Sequence, residues 1–157
     1  MPNWCNNNLT VTSDDPEKIK RFNLALQSEG LFSAFLPNPT GAWDYAWSIE
    51  NWGVKWDVAE NDIQVIQCDE DRIIVEFDTP WSYPKEFLQH LESLGYAVHL
   101  MYHEPGLAFC GIYEDGVEDH YEYAQMASEE ILATIPDDLD LCFGIYEQVL
   151  EREESNA

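Results

Sequence analysis

Alternating apolar and polar residues predict four β-strands. In the first strand Leu9 and Val11 alternate with threonines, and in the third Ile73, Val75 and Phe77 share one face. Ile63 and Val65 share a face of the second strand in the same way. These residues are therefore expected in the core. The predicted strands cover residues 3–12, 63–68, 72–78 and 97–102.

Two amphipathic helices are predicted between these strands. The first begins at the acids before Pro16 and runs to about Ser28, because apolar residues recur there at helical spacing. The second runs from Tyr83 to about Leu94 and ends before Gly95. The resulting order of strand, helix, strand, strand, helix, strand is the ferredoxin-like split βαβ pattern, an α+β fold.

Residues outside this core predict three additions within a single domain, residues 1–157. The core covers residues 3–28 and 63–102, and residues 29–62 form an insert. A second hairpin, residues 107–113 and 117–123, extends the sheet around a Glu-Asp-Gly turn. A helical acidic tail follows, with interruptions at Pro136 and Gly144.

Tryptophans concentrate in the insert. Four of the six lie between Trp43 and Trp56, in two pairs with a spacing of four residues, which share a face on a helix. The turn signal at residues 51–53 excludes one continuous helix, so a compact aromatic-packed segment is expected. Two interpretations remain: the rings fill a core, or some of them line a binding surface.

The net charge restricts the partners. The 157 residues contain 31 acids and seven Lys or Arg, a formal charge of -24. Such a field repels nucleic-acid phosphates and anionic membranes and attracts basic proteins. Residues 104–157 hold fifteen acids and one base, Arg152. The alternative is that the charge is a general feature of the source organism's proteins.

Cysteine usage and the absence of targeting signals predict a cytoplasmic protein. The four cysteines are spread singly, without a CxxC pair, which is typical of reduced thiols. The start carries neither a basic segment nor an apolar run, and no stretch has the roughly 20 apolar residues that span a bilayer. We therefore expect no signal peptide and no membrane association.

Candidate catalytic and metal sites are weak. His99, His103 and Glu104 could hold a metal with two acids and a histidine of the second hairpin, but no tetrahedral ligand spacing supports them. Ser82 and Cys110 lack a neighbouring base in a recognised motif. No phosphate-binding loop or RNA-recognition signature occurs. We expect no metal, no cofactor, no direct nucleic-acid binding and no enzymatic activity.

Three motifs carry a resemblance to a known family: MPNWCNNNLTV at the start, ENWGVKWD at residues 50–57 and FDTPWSYP at residues 77–84. They are similar to plasmid- and phage-borne proteins with the YubB ferredoxin-like domain, over most of the chain up to about Tyr123. That pattern has a second proline where Tyr83 stands here, a departure that touches only the turn. The resemblance implies a ferredoxin-like fold and a mobile-element setting, and no catalytic residues.

The leading hypothesis is a non-enzymatic interaction protein that binds a basic host or element-encoded protein, in its sharpest form as an acidic decoy or counter-defence inhibitor. Its predicted contact residues are Glu114, Asp115, Glu118, Asp119, Asp137, Asp138, Asp140, Trp52 and Trp56. The alternative is a small-ligand binder or enzyme with a pocket between the insert and the sheet. Its predicted lining residues are Asn6, Asn8, Trp81 and His99. The asparagines at positions 6–8 either bond loop backbone or reach such a ligand.

Overall fold

The computed structural model describes residues 2–157, which form a six-stranded antiparallel sheet and seven α-helices. The strands are β1 (Trp4–Thr12), β2 (Gln64–Cys68), β3 (Arg72–Pro80), β4 (Ala97–Glu104), β5 (Phe109–Glu114) and β6 (Val117–Glu122). The helices are α1 (Pro16–Leu26), α2 (Leu31–Phe35), α3 (Tyr45–Trp52), α4 (Lys85–Ser93), α5 (Ser128–Thr134), α6 (Asp137–Phe143) and α7 (Ile145–Ser155). The strand order β2-β3-β1-β4-β5-β6 confirms the predicted ferredoxin-like sheet and its hairpin extension.

The first face of the sheet carries the main core. Leu9, Val11, Ile73 and Val75 are buried there, as their alternation predicts. Helix α1 begins where the Asp15 side chain accepts the Glu17 N–H, with proline at its first position. Helices α1 and α4 cover the central strands and bury their apolar stripes against them.

The insert extends this helical layer. Helix α3 ends at Gly53, whose backbone is left-handed at φ 86°, so the predicted break is confirmed. Trp43 precedes the helix in the chain, and Trp47 packs edge-on against Trp52 with ring centroids 5.3 Å apart. Trp43 and Trp56 both lie outside the helix, so the four-residue spacing does not place either pair of tryptophans on one helical face. The insert is nevertheless a compact aromatic segment.

Strand β2 differs from its prediction. It forms one edge of the sheet, and all five of its residues are exposed. Val65 is 49% exposed, so its predicted place in the core is wrong, while Ile63 is half-buried against the core. A bulge between Val65 and Gln67 interrupts the ladder to β3. Period-two alternation marks a strand, but it does not say whether another layer covers that strand.

The C-terminal helices cover part of the second face. Ile131, Leu139 and Ile145 form a separate apolar cluster with Cys110, against side chains of β4 and β5. The chain breaks at Pro136 and at Gly144 as predicted. The second face of β1 and β3 remains outside this cluster, and we call it the open face. Its side chains are Asn6, Asn8, Thr10, Ile74, Glu76 and Asp78.

Candidate functional site

A groove lies between the insert and the sheet, and we call it the insert–sheet groove. It consists of two cavities of about 340 and 460 Å³ that share Asp62 and Asp78. The smaller is lined by Trp4, Trp56, Asp57, Val58, Asp62, Asp78 and Pro80. The larger is lined by Asn6, Asn7, Asn61, Asp62, Ile63, Gln64, Glu76, Phe77, Asp78, Cys142 and Phe143. Strand β3 and the end of the insert thus meet the C-terminal helices here.

Two tryptophan rings form the smaller cavity's aromatic wall. Trp4 is the first residue of β1, and Trp56 follows α3 in the insert. Their ring centroids are 6.0 Å apart at 40°, and the residues are 41% and 39% exposed. The Lys55 ammonium lies 4.3 Å from the Trp56 ring centroid, so this ring already contacts a cation of its own chain.

Carboxylates line the rest of the groove, and they differ in how far they are engaged. Asp57 accepts the backbone N–H groups of Phe32, Ser33 and Val58, and therefore holds the start of α2. Asp78 accepts one bond, from Asn6 Nδ2 at 2.9 Å. Within residues 2–157, no hydrogen bond reaches the exposed Asp62 side chain. Asp62 and Asp78 therefore retain oxygens for a ligand.

The residues predicted to line the pocket do not lie together in the structure. Asn6 lines the groove, whereas Asn8 donates to Glu76 across the strand at 3.2 Å and lies outside its walls. Trp81 is 47% exposed and lines neither cavity. His99 lies 3.1 Å from Glu114 and lines a different cavity of about 400 Å³. Sequence reasoning missed the groove residues Trp4, Asp62 and Asp78, because the β1–β3 register and the packing of the insert bring them together.

The two predicted tryptophan contacts have different surroundings. Trp52 is 5% exposed, packs on Phe32 and donates from Nε1 to the Leu36 carbonyl at 2.9 Å. Its ring therefore belongs to the core and has little surface to offer a partner. Trp56 is the half-exposed ring of the groove.

The predicted hairpin acids are exposed. Glu114 and Asp115 lie at the turn, and Glu118 and Asp119 lie on β6, the second edge of the sheet. A Tyr83 hydroxyl donates to Glu118. We call these four residues the hairpin acids. Their negative charges project from one edge of the molecule.

The predicted helix acids have two roles. Asp137 and Asp138 are exposed on the first turn of α6, where a helix dipole favours negative charge. Asp140 is half-buried and accepts the Tyr146 N–H at 2.7 Å, across the junction of α6 and α7. The Asp140 carboxylate is thus already engaged in holding this junction.

The candidate metal-binding histidines face separate partners. His103 is buried with its Nε2 2.5 Å from the Tyr123 hydroxyl, and burial lowers its pKa to about 4. Glu104 is buried and accepts the N–H groups of Gly106 and Leu107. Among residues 2–157, no cluster of three or more His, Cys, Asp or Glu is arranged to hold a metal ion.

The candidate nucleophiles lack activation. Burial raises the pKa of the Cys110 thiol to about 12, so this thiol stays protonated at neutral pH. The Ser82 hydroxyl lies 3.5 Å from the carbonyl oxygens of Gly53 and Tyr83 and contacts no basic side chain in the described part of the chain. Neither group has the environment of a catalytic nucleophile.

Buried tyrosines tie the hairpin to the core. The Tyr83 and Tyr102 rings stack with centroids 4.3 Å apart, and the Tyr102 hydroxyl lies 2.8 Å from His120 Nδ1. Desolvation and a hydrogen bond to Glu118 raise the pKa of Tyr83, and desolvation also raises the pKa of Tyr102. Both phenols therefore remain protonated and serve as hydrogen-bonding groups. Gly111 permits this packing, because a Cβ there would lie 2.2 Å from the Tyr102 hydroxyl.

Comparisons with known proteins agree with this fold. The sequence model of the family described as "Ferredoxin-like domain in Api92-like protein" matches residues 52–140, more than half of the chain. The crystal structure of a protein api92 from Yersinia pseudotuberculosis matches with a TM-score of 0.50 and 11% identity, over 78% of this chain and 98% of that chain. At this identity the likeness concerns the fold alone. No curated protein matches the sequence.

No helix among residues 2–157 is long and apolar enough to cross a membrane.

Proposed function

The chain belongs to the family of the ferredoxin-like domain in Api92-like protein, and from this premise we propose that it is a non-enzymatic interaction protein that binds a basic protein. The partner is encoded by the host or by a mobile element. The protein itself belongs to a mobile element of the plasmid or phage type, as its three YubB-like motifs imply, and it acts in the cytoplasm.

One observation carries this proposal: within residues 2–157, most acids of the C-terminal third are exposed and none of them pairs with a lysine or an arginine. Twelve of the fifteen acids in residues 104–157 are exposed. Within residues 2–157, the only Lys or Arg that lies within 4.0 Å of a carboxylate is Lys20, beside Glu17. A folded surface with this charge attracts basic proteins and repels phosphates.

The sharpest form of the proposal is an acidic decoy. A rigid anionic surface can occupy the groove in which a basic protein would otherwise hold a nucleic-acid backbone. Such a decoy would protect an invading genome from a basic host nuclease. The hairpin acids suit this role because they lie on the β5–β6 hairpin at one edge of the sheet, which the Tyr83–Glu118 bond holds to the core.

The proposal is tested with charge-matched variants. The hairpin variant replaces the four hairpin acids with amides: E114Q, D115N, E118Q and D119N. The control variant neutralises four exposed acids on other elements: D14N, E29Q, E50Q and E70Q. Basic proteins retained from host lysate at low salt are identified, purified, and measured for affinity at increasing NaCl concentrations.

We expect the wild-type protein to bind a basic nucleic-acid-binding protein with an affinity that falls steeply with salt. The hairpin variant should lose at least tenfold more affinity than the control variant. The wild-type protein should also displace DNA from the partner in a gel-shift assay. Equal losses in the two variants, or salt-independent binding, would contradict the proposal.

A second function is favoured by the insert–sheet groove itself. Its two cavities lie where the alternative hypothesis expects a ligand pocket, between the insert and the sheet. A ligand held there would contact the Trp4 and Trp56 rings and would be less sensitive to salt than the decoy contact. Trp-fluorescence titrations of the wild-type protein and a Trp56→Leu variant test for it.

A further inference from the structure

We propose that the insert–sheet groove is a binding site for one arginine or lysine side chain of the basic partner protein. The cationic group would sit at the Trp4 and Trp56 rings and face the carboxylates of Asp62 and Asp78. This inference rests on the proposed function, because the partner that supplies the side chain is the basic protein described above.

The aromatic wall of the smaller cavity suits a cationic ligand. Trp4 and Trp56 come from different parts of the chain, line the same concave cavity and are each about two-fifths exposed. An exposed indole face attracts a guanidinium or ammonium group by its quadrupole. Trp56 already contacts the Lys55 ammonium, which does not line the cavity. The ring is therefore positioned in a way that attracts cations.

The charged residues that line the groove also suit a cationic ligand. No Lys or Arg lines either cavity, whereas Asp57, Asp62, Glu76 and Asp78 do. The Asp57 carboxylate is already occupied by hydrogen bonds from backbone N–H groups. Asp62 and Asp78, by contrast, lie where the two cavities meet. An anionic ligand would be repelled from this groove, and a neutral apolar ligand would leave the carboxylates desolvated. A cation with an apolar stem satisfies both the rings and the acids.

The size of the groove favours a side chain on a protein. The smaller cavity, of about 340 Å³, is open to solvent and continues into the larger one past Asp62 and Asp78. A long basic side chain can enter the smaller cavity while its backbone stays outside, along the open face of β3. The partner would then be anchored here by one side chain and held more diffusely by the hairpin acids.

The test uses NMR of the protein labelled with ¹⁵N in its indole groups. The probes are the peptide acetyl-Gly-Arg-Gly-amide, its neutral citrulline analogue, and free spermidine. We expect saturable shifts of the Trp4 and Trp56 indole resonances with the arginine peptide and no saturable shift with the citrulline peptide. Spermidine that binds as tightly as the peptide would overturn the assignment to a protein side chain.

Two pairs of variants locate the site. Trp56→Leu should weaken binding of the arginine peptide about three- to thirtyfold. Trp81→Leu, which removes an exposed tryptophan outside the groove, should leave that binding unchanged. Asp62→Asn should weaken binding of the arginine peptide several-fold, whereas Glu60→Gln in the same turn should leave the binding unchanged. Peptide affinities that are equal within either pair would overturn the proposal.

The two proposals fail separately. The hairpin variant leaves the groove intact, so it should bind the arginine peptide as the wild-type protein does. One outcome is that the purified partner binds in a salt-dependent way with the same affinity for Trp56→Leu and Asp62→Asn as for the wild-type protein. In that case the groove proposal is wrong and the interaction function stands. If the peptide binds in the groove and no basic partner is retained, the interaction function is wrong, and only the affinity of the groove for a basic side chain stands.

Discussion

Asn7 is the one asparagine of the β1 triplet that faces the core. Its Nδ2 donates to the carbonyls of Cys5 and Phe77 and to Thr79 Oγ1, and the residue is 2% exposed. Its Oδ1 has no partner within residues 2–157, which offsets part of the benefit. We expect Asn7→Ala to destabilise the fold by about 2 kcal/mol in urea unfolding. Asn6→Ala, which removes one exposed bond to Asp78, should cost under about 1 kcal/mol. Equal losses would contradict this role.

His103 gives the fold a specific acid sensitivity. Burial beside Tyr123 and Phe143 lowers its pKa from 6.5 to about 4, so the folded state holds the neutral ring. The corresponding stability is complete above pH 6.5 and is lost as the pH falls toward 4, by up to about 3 kcal/mol. Urea unfolding of wild-type protein and His103→Gln between pH 7.5 and 4.5 measures this. The variant should lose that part of the pH dependence.

The comparison between the wild-type protein and His103→Gln isolates a single titrating group. All other titratable groups are common to the two proteins, so the difference between their pH profiles reports His103. A wild-type profile parallel to that of His103→Gln would contradict the prediction.

The end of helix α3 depends on a glycine for two separable reasons. Gly53 has φ 86°, and a Cβ there would lie 2.3 Å from Glu86 Oε2 and 3.0 Å from the Lys85 nitrogen. Gly41 has a similar φ of 73° with nothing within 4 Å of its Cβ position. We expect Gly41→Ala to cost about 1 kcal/mol from backbone strain alone, and Gly53→Ala about 2–3 kcal/mol. Thermal unfolding measures both, and equal costs would show that the contact with α4 is unimportant.

At the scale of elements, the local sequence pattern predicts the strands, helices and turns, but it does not predict which other elements pack against them. The buried faces of β1 and β3, the hairpin turn and the breaks at Pro136 and Gly144 follow from alternation and turn residues. Val65 shows the limit, because its strand has the right period and yet forms an edge. The packing of α5–α7 on β4 and β5 depends on contacts between distant residues, which no local period encodes.

The same reason explains how much of the candidate site is predictable. The tryptophan cluster indicates an aromatic segment, and Asn6 indicates a polar position on the open face. The groove also needs Trp4 beside Trp56, and Asp78 opposite Asn6 in the β1–β3 register. Both neighbours are set by tertiary packing over more than fifty residues of sequence. The sequence therefore predicts the chemistry of the site more closely than its position.

Across the whole molecule, uncompensated charge should make salt a stabiliser. The formal charge is -24, and Lys20–Glu17 is the only pair of Lys or Arg with a carboxylate in the described residues, so salt screens much repulsion and little attraction. Raising the ionic strength from 0.01 M to 1 M shortens the screening length from about 30 Å to about 3 Å. We expect the Tm to rise by roughly 3–8 °C in NaCl, and less in the hairpin variant. A constant or falling Tm would contradict this expectation.

This response separates folding from binding. Salt strengthens the fold by screening repulsion within the chain, and it weakens a decoy contact by screening attraction to the partner. A loss of partner binding between 0.05 and 0.3 M NaCl, measured while the Tm rises over the same range, cannot come from unfolding and must come from the interface. The arginine peptide in the insert–sheet groove should lose less affinity over that range, because its single charge faces only Asp62 and Asp78 and its contact with the Trp4 and Trp56 rings is short-ranged. The protein would thus combine a salt-sensitive surface that attracts the partner with a salt-tolerant groove that holds it.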